Sequence, residues 1–283
     1  MDDIMKLSRA FFALGLFGLG VLSLAYGDFA LQWQPVATWV PARGLLAYTS
    51  AAVLLAAAAS LFWGRTAIVA SQVLFVYALL WLALLKLPKL ALAPSIEANW
   101  MGAAEIVVIF TATWVLVASL SDAASHAMID ARSMRIAQLA FAVSLIPLGI
   151  SHFVYSKQTI AFVPSWLPFR AGWAYLSGAG HTAAGLGVLF GVLPQLAARL
   201  EAAMIGVFTL LVWAPAAITA PTRLQWTGFL ISWTIAAAAW VVAESIARTA
   251  HSGVAKIHRD AAHALDGPRI ESPVSARPFI RSD

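Results

Sequence analysis

Two stretches of this chain repeat each other 127 positions apart. Residues 36–48 read Val-Ala-Thr-Trp-Val-Pro-Ala-Arg-Gly-Leu-Leu-Ala-Tyr, and residues 163–175 read Val-Pro-Ser-Trp-Leu-Pro-Phe-Arg-Ala-Gly-Trp-Ala-Tyr. Val, Trp, Pro, Arg, Ala and Tyr fall in register. A second echo sets Asn99-Trp100-Met101-Gly102 against Gln225-Trp226-Thr227-Gly228, now at an offset of 126, so one residue separates the two registers. Internal repeats fix an architecture before any single residue does. The chain reads as a tandem duplication in which each half builds the same unit.

The unit belongs in a lipid bilayer. Charged residues make up 11% of the 283, hydrophobic residues 61%, and the mean hydropathy is +0.82. Soluble domains carry about 25% charged residues, and so much apolar surface could not be covered in water. The apolar runs are long and nearly free of charge, as helices crossing a ~30 Å hydrocarbon core must be. They do not alternate with period two, which excludes a membrane β-barrel. Eight spans are predicted, at 8–27, 44–63, 66–85, 100–120, 136–154, 172–193, 200–218 and 224–243. Four fall in each copy, and an even number gives both copies the same orientation. The fold class is therefore an all-α membrane protein of eight transmembrane helices arranged as two parallel four-helix repeats.

The expected organisation is a first repeat over 1–120, a cytoplasmic linker over 121–135, a second repeat over 136–246 and a polar tail over 247–283. The tail cannot bury a core and reads as disordered, with one or two helical turns near 254–265. Lys6, Arg9 and Ala25-Tyr26-Gly27 give the first span the look of a signal peptide. Its match to 136–154 argues that it is retained. Twelve of the 18 Lys and Arg residues fall on the side of the two termini, so both termini are predicted cytoplasmic by the positive-inside rule.

No cysteine is present, which excludes disulfides, thiolate nucleophiles and Cys-ligated metal centres. The formal charge of +5 sits at helix ends and in the tail without interleaved aromatics, so nucleic acid is not an expected partner. No phosphate-binding glycine loop, His-Glu-x-x-His zinc motif or Gly-x-Ser-x-Gly elbow occurs.

Two groups of residues carry chemistry. The motifs Trp39-x-Pro41-x-Arg43 and Trp166-x-Pro168-x-Arg170 lie in the loops between the first and second spans of each copy. Trp anchors at the lipid interface, Pro starts a helix and Arg meets headgroup phosphates. Alternatively, these loops fold back over a cavity and Arg holds an anionic or carbonyl group of a ligand. The second group is ionisable and intramembrane. Glu105 lies inside the fourth span, and His181 lies roughly 13 Å along the sixth at 1.5 Å per residue. Such residues rarely face lipid. Glu105 aligns with Ile231 and His181 with Leu54, so the two copies differ in polar content. Glu105, His181, Trp166, Arg170 and Tyr175 are predicted to line one ligand pocket. Haem is disfavoured: His152 and His181 are the candidate ligands, and their expected depths differ by much of half a bilayer. Glycines around His181 and in the first span mark close helix contacts or the floor of a cavity.

The run Gly149-Ile-Ser-His152-Phe153, then Val163-Pro-Ser-Trp166-Leu-Pro168-x-Arg170, then Ser177-Gly-Ala-Gly-His181-x-x-x-Gly185-Leu resembles the DoxX and DoxX-like family of small bacterial membrane proteins. The match is good over some 40–50 residues of the second half. The first half keeps the Trp-x-Pro-x-Arg core but has Ala25 and Leu54 in place of the histidines. The resemblance implies a four-helix unit in the bacterial inner (plasma) membrane, with links in some members to quinone-dependent sulfur oxidation or redox-defence assemblies. It implies a non-enzymatic membrane component, or a subunit that binds a small lipophile, in contact with the bilayer and with other membrane or redox subunits. The competing expectations are a quinone-interacting oxidoreductase subunit and a small-molecule transporter with a site between the halves.

Overall fold

The computed structural model describes the backbone of residues 2–121 and 127–265, and the side chains of 3–121 and 132–250. Among the described residues there are nine continuous helices and no strand. They are α1 (Asp2–Tyr26), α2 (Arg43–Ser60), α3 (Gly64–Leu92), α4 (Glu97–Leu120), α5 (Ala127–Val154), α6 (Ser156–Phe162), α7 (Arg170–Phe190), α8 (Pro194–Thr219) and α9 (Arg223–Leu265). Seven of these are long and apolar enough to cross a membrane: α1, α2, α3, α4, α5, α8 and α9. The eighth expected span, 172–193, is helical as α7 but does not reach their apolarity. Ser177, His181, Thr182 and five glycines dilute it.

The expected linker falls partly on residues 122–126, which lie outside the described residues, and α5 begins at Ala127. Helix α9 is continuous through 247 to Leu265, further than the one or two turns expected there. The rest of the expected tail, 266–283, lies outside the described residues. Residues 1–247 form one compact unit.

Local structure recurs at the sequence offset. Ala42 and Phe169 both take left-handed backbone angles, at φ 53° and 54°, immediately before Arg43 and Arg170 start a helix. Each Arg then donates from Nε to the carbonyl of the Val seven residues earlier: Arg43 to Val36 at 3.4 Å and Arg170 to Val163 at 2.8 Å. Helices α3 and α8 each contain one π-helical turn, Leu82–Lys86 and Thr209–Trp213, where Leu87 N–H bonds Leu82 O and Ala214 N–H bonds Thr209 O. Pro88 and Pro215 follow one residue later. A proline lacks the N–H and crowds the carbonyl four residues back. One extra residue in the preceding turn relieves that clash and keeps the helix running.

Packing crosses between the halves. The first helix of one half lies on the last helix of the other. Gly15 and Gly18 of α1 bring it onto Trp233, Thr234 and Leu230 of α9, with Phe11 stacked on Trp233 at 5.4 Å. On the other side Trp114 of α4 donates to Ser133 of α5 at 2.6 Å. At the ends of these pairs, Asp28 meets Arg223 at 3.1 Å and the Ala98 N–H meets the Tyr155 hydroxyl at 3.1 Å. Within each half the first helix packs on the second through glycine: Gly20 of α1 against Ala51 and Leu55, and Gly149 of α5 against Gly178 and Thr182 of α7. Helices α4 and α9 are the most buried, and their Ala, Val and Ile faces form the centre of the core.

Candidate functional site

Within the second half, the inner faces of α5, α7, α8 and α9 leave a cavity of about 150 Å³. Met101 and Glu105 of α4 and Trp33 of the 27–42 segment complete its wall, so both halves contribute. His152, His181, Ser151, Ser177 and Ser232 are its polar lining, and Phe208 and Trp213 its aromatic lining. The cavity lies toward the bundle end that carries the 27–42 and 155–169 segments.

His181 Nδ1 and Glu201 Oε1 are 2.6 Å apart, and the Glu201 side chain is wholly buried. A buried carboxylate is costly unless paired and hydrogen-bonded, and this contact has the short length of a charge-assisted bond. Glu201 Oε2 accepts no hydrogen bond from the described residues, and His152 Nδ1, also buried, has no partner among them. The two imidazoles sit side by side with ring centroids 5.1 Å apart. Across the cavity Glu105 lies near the Trp33 side chain and Lys86, which donates to Gln32 O at 3.4 Å.

The two histidines do not differ in depth as their places in the sequence suggest. His152 lies near the end of α5 and His181 eleven residues into α7, yet they are neighbours. Helix α7 begins well beyond the end of α5, with α6 filling the overhang, so the middle of α7 passes the last turn of α5. Gly178 makes this possible, because a Cβ there would run into His152.

The 127-residue sequence offset sets each of these residues beside a position in the first part of the chain. His181 corresponds to Leu54, Glu201 to Leu74 and His152 to Ala25, and both leucines are fully buried core residues. Met204 and Phe208 correspond by the same offset to Tyr77 and Trp81. Tyr77 is hydrogen-bonded to Ser50 at 2.7 Å and Gln34 at 2.6 Å, and Trp81 donates to Trp33 O at 2.6 Å. One half thus has hydrogen-bonded aromatic side chains at these positions. The other has a cavity lined by His152 and His181, with Glu201 bonded to His181.

Of the residues expected to share a pocket, Glu105 and His181 line this cavity, while Trp166, Arg170 and Tyr175 do not. Tyr175 is exposed and stacks on Phe153 at 5.8 Å. Arg170 is tied to backbone carbonyls of Val163 and Ala161. Trp39 and Trp166 are 81% and 68% exposed, and Pro41 and Pro168 are exposed beside them. Arg43 pairs with Asp28, which Arg223 also contacts. Burial pushes the Asp28 carboxyl up, but the Phe29 N–H and the two guanidiniums outweigh it and hold it below the usual carboxylate range.

Glu201, Trp33 and Trp213 are site residues that sequence reasoning did not single out. With the span drawn from 200, Glu201 stood at a helix end. Pro194 begins the helix in fact, and places Glu201 two turns inside. The readable signal was the register itself, which sets a Glu opposite a Leu.

A family model described as a domain of unknown function (DUF8561) matches residues 139–243. The match spans the second half, including His152, His181 and Glu201. No curated protein and no solved structure matches the chain.

Proposed function

We propose that this chain is an eight-helix protein of the bacterial plasma membrane, built from two fused, parallel DoxX-like four-helix units with both termini cytoplasmic. In this reading α7 is the eighth span, shielded from lipid on one face by α5. The repeated Arg–Val corners, the repeated π turns and the crossed packing of first on last helices support the two-unit description. Crossed packing of this kind is what a two-fold axis along the membrane normal produces.

Its function is to bind a small lipophilic molecule with a hydrogen-bonding oxygen, of which a quinone head is the model case, as a non-enzymatic component of a membrane redox or envelope assembly. One observation carries this reading: a cavity is lined by two histidines, one of them bonded to the buried Glu201, at positions where the other half has Ala25, Leu54 and Leu74. At about 150 Å³ it is smaller than the ~300–1,000 Å³ of drug-sized sites and suits a single ring. Phe208 and Trp213 offer flat apolar contact, and the His181 ring offers a donor to a carbonyl oxygen.

The test is extraction of the protein, purified in mild detergent from native membranes, followed by mass spectrometry for quinones. Near-stoichiometric quinone is expected from the parent, and its loss from the double variant His181→Leu/Glu201→Leu, which removes the pair without stranding the glutamate. A parent that yields no quinone and takes up none when it is supplied would refute the reading.

A further inference from the structure

A second concavity reaches the same glutamate from the opposite end. Between α7 and α8 runs a groove of about 340 Å³ lined by Ala183, Gly187, Leu193, Ala197, Leu200 and Glu201. It begins at the 191–193 loop, reaches Glu201 about 10 Å along α8 at 1.5 Å per residue, and continues to Met204. It is wide enough to admit water, and among the described residues Glu201 is the one polar side chain in its lining. Small residues keep it open: Ala183 is exposed on one wall, and Gly187 faces Ala197 across the other.

Glu201 therefore stands between two concavities. Its Oε1 is bonded to His181, whose ring lines the cavity. Its Oε2, buried and unpartnered among the described residues, belongs to a residue that also lines the groove. We propose that the His181–Glu201 pair carries protons between the cavity and the bundle end bearing the α7–α8 loop. In the inward direction Oε2 takes a proton from water in the groove, Oε1 passes one to Nδ1, and Nε2 releases one into the cavity. Each step forms one bond to hydrogen as another breaks, and no electron donor is required. The same steps reversed carry a proton out.

The groups that face this pair fit the role. His152 on α5 is 5.1 Å away, with Nδ1 unpartnered among the described residues, and is the first acceptor beyond His181. Glu105 on α4 lines the far wall, beside Lys86 of α3. Arg199, two residues from Glu201 on α8, is held by Glu244 of α9 at 3.1 Å through both Nε and Nη2, so it does not neutralise Glu201. The sister half has Leu54 and Leu74 at the equivalent points and no such path.

The test is the rate at which His181 ring protons exchange with water, read by nitrogen-15 NMR on the full chain in lipid nanodiscs without added ligand. It needs no quinone, so it stands or falls separately from the binding reading. Glu201→Gln and Ala183→Phe, the second plugging the groove from its exposed wall with the pair intact, are each expected to slow exchange at least tenfold. Unchanged exchange in Ala183→Phe would show that protons do not enter by the groove and would overturn the proposal. If Glu201→Gln does not fold, the Ala183→Phe result decides alone.

Discussion

His181 and Glu201 are hydrogen-bonded at 2.6 Å, and the positions 127 residues earlier are Leu54 and Leu74, both buried in the core. The same scaffold thus accepts either a polar or an apolar pair. Removing one partner of a buried pair costs about 3–5 kcal/mol, whereas replacing both with matched apolar side chains is often neutral or stabilising. His181→Leu, which strands the glutamate, is expected to lower the melting temperature in detergent clearly. The double variant His181→Leu/Glu201→Leu is expected to recover most or all of that loss. Additive losses in the double variant would show that the two side chains do not act as a pair.

Asp28 joins the 27–42 segment of one half to the start of α9 in the other through Arg43 and Arg223. Its carboxyl is held below the usual range in the folded state, so its stabilisation is fully present above the unfolded value of about 3.9 and is lost as pH falls through the lower folded value. Thermal melts between pH 6 and 3 are expected to show an acid loss that is smaller in Asp28→Asn, which is also less stable than the parent at pH 7. Parallel pH profiles for the two proteins would contradict this role.

Much of this architecture is legible in the sequence. The 127-residue register, the apolar runs and the Trp-x-Pro-x-Arg loops lead directly to recurring helices and recurring Arg–Val corners. The π turns were not foreseen, although Pro88 and Pro215 mark them. Glu105 and His181 were recognisable as intramembrane ionisable groups. The rest of the site depends on how far α7 overhangs α5, which no periodicity encodes, and on where α8 begins. Arg170 looked like a ligand contact because its residue type suits one. Its place seven residues after Val163 makes it a clasp for the loop.

Ala42 and Phe169 occupy left-handed backbone at φ 53° and 54° without the freedom of glycine. That conformation costs a non-glycine residue about 1–2 kcal/mol. Ala42→Gly and Phe169→Gly are each expected to raise the melting temperature or leave it unchanged, Phe169 being exposed and contributing little packing. Ala42→Val is expected to lower it. A stability loss in both glycine variants would place the strain elsewhere.

The proposed orientation rests on the distribution of basic residues. With both termini on the cytoplasmic side as proposed, Lys157 would face outward, and the absence of cysteine makes labelling clean. A Lys157→Cys variant is expected to react with an impermeant maleimide in intact cells, and a Ser252→Cys variant only after lysis. The reverse pattern would invert the topology.

The most direct measurement is a binding titration of the purified chain in nanodiscs with a short-chain quinone, read by quenching of Trp33 and Trp213 at the cavity wall. Saturable quenching is predicted for the parent. His181→Leu should weaken it about tenfold, the equivalent of ~1.4 kcal/mol and the size of one lost hydrogen bond. Met204→Tyr, which puts at the cavity wall the side chain that Tyr77 has 127 residues earlier, should abolish it with the fold retained. Equal affinity in all three proteins, or quenching that rises linearly without saturation, would contradict a quinone site in the second half.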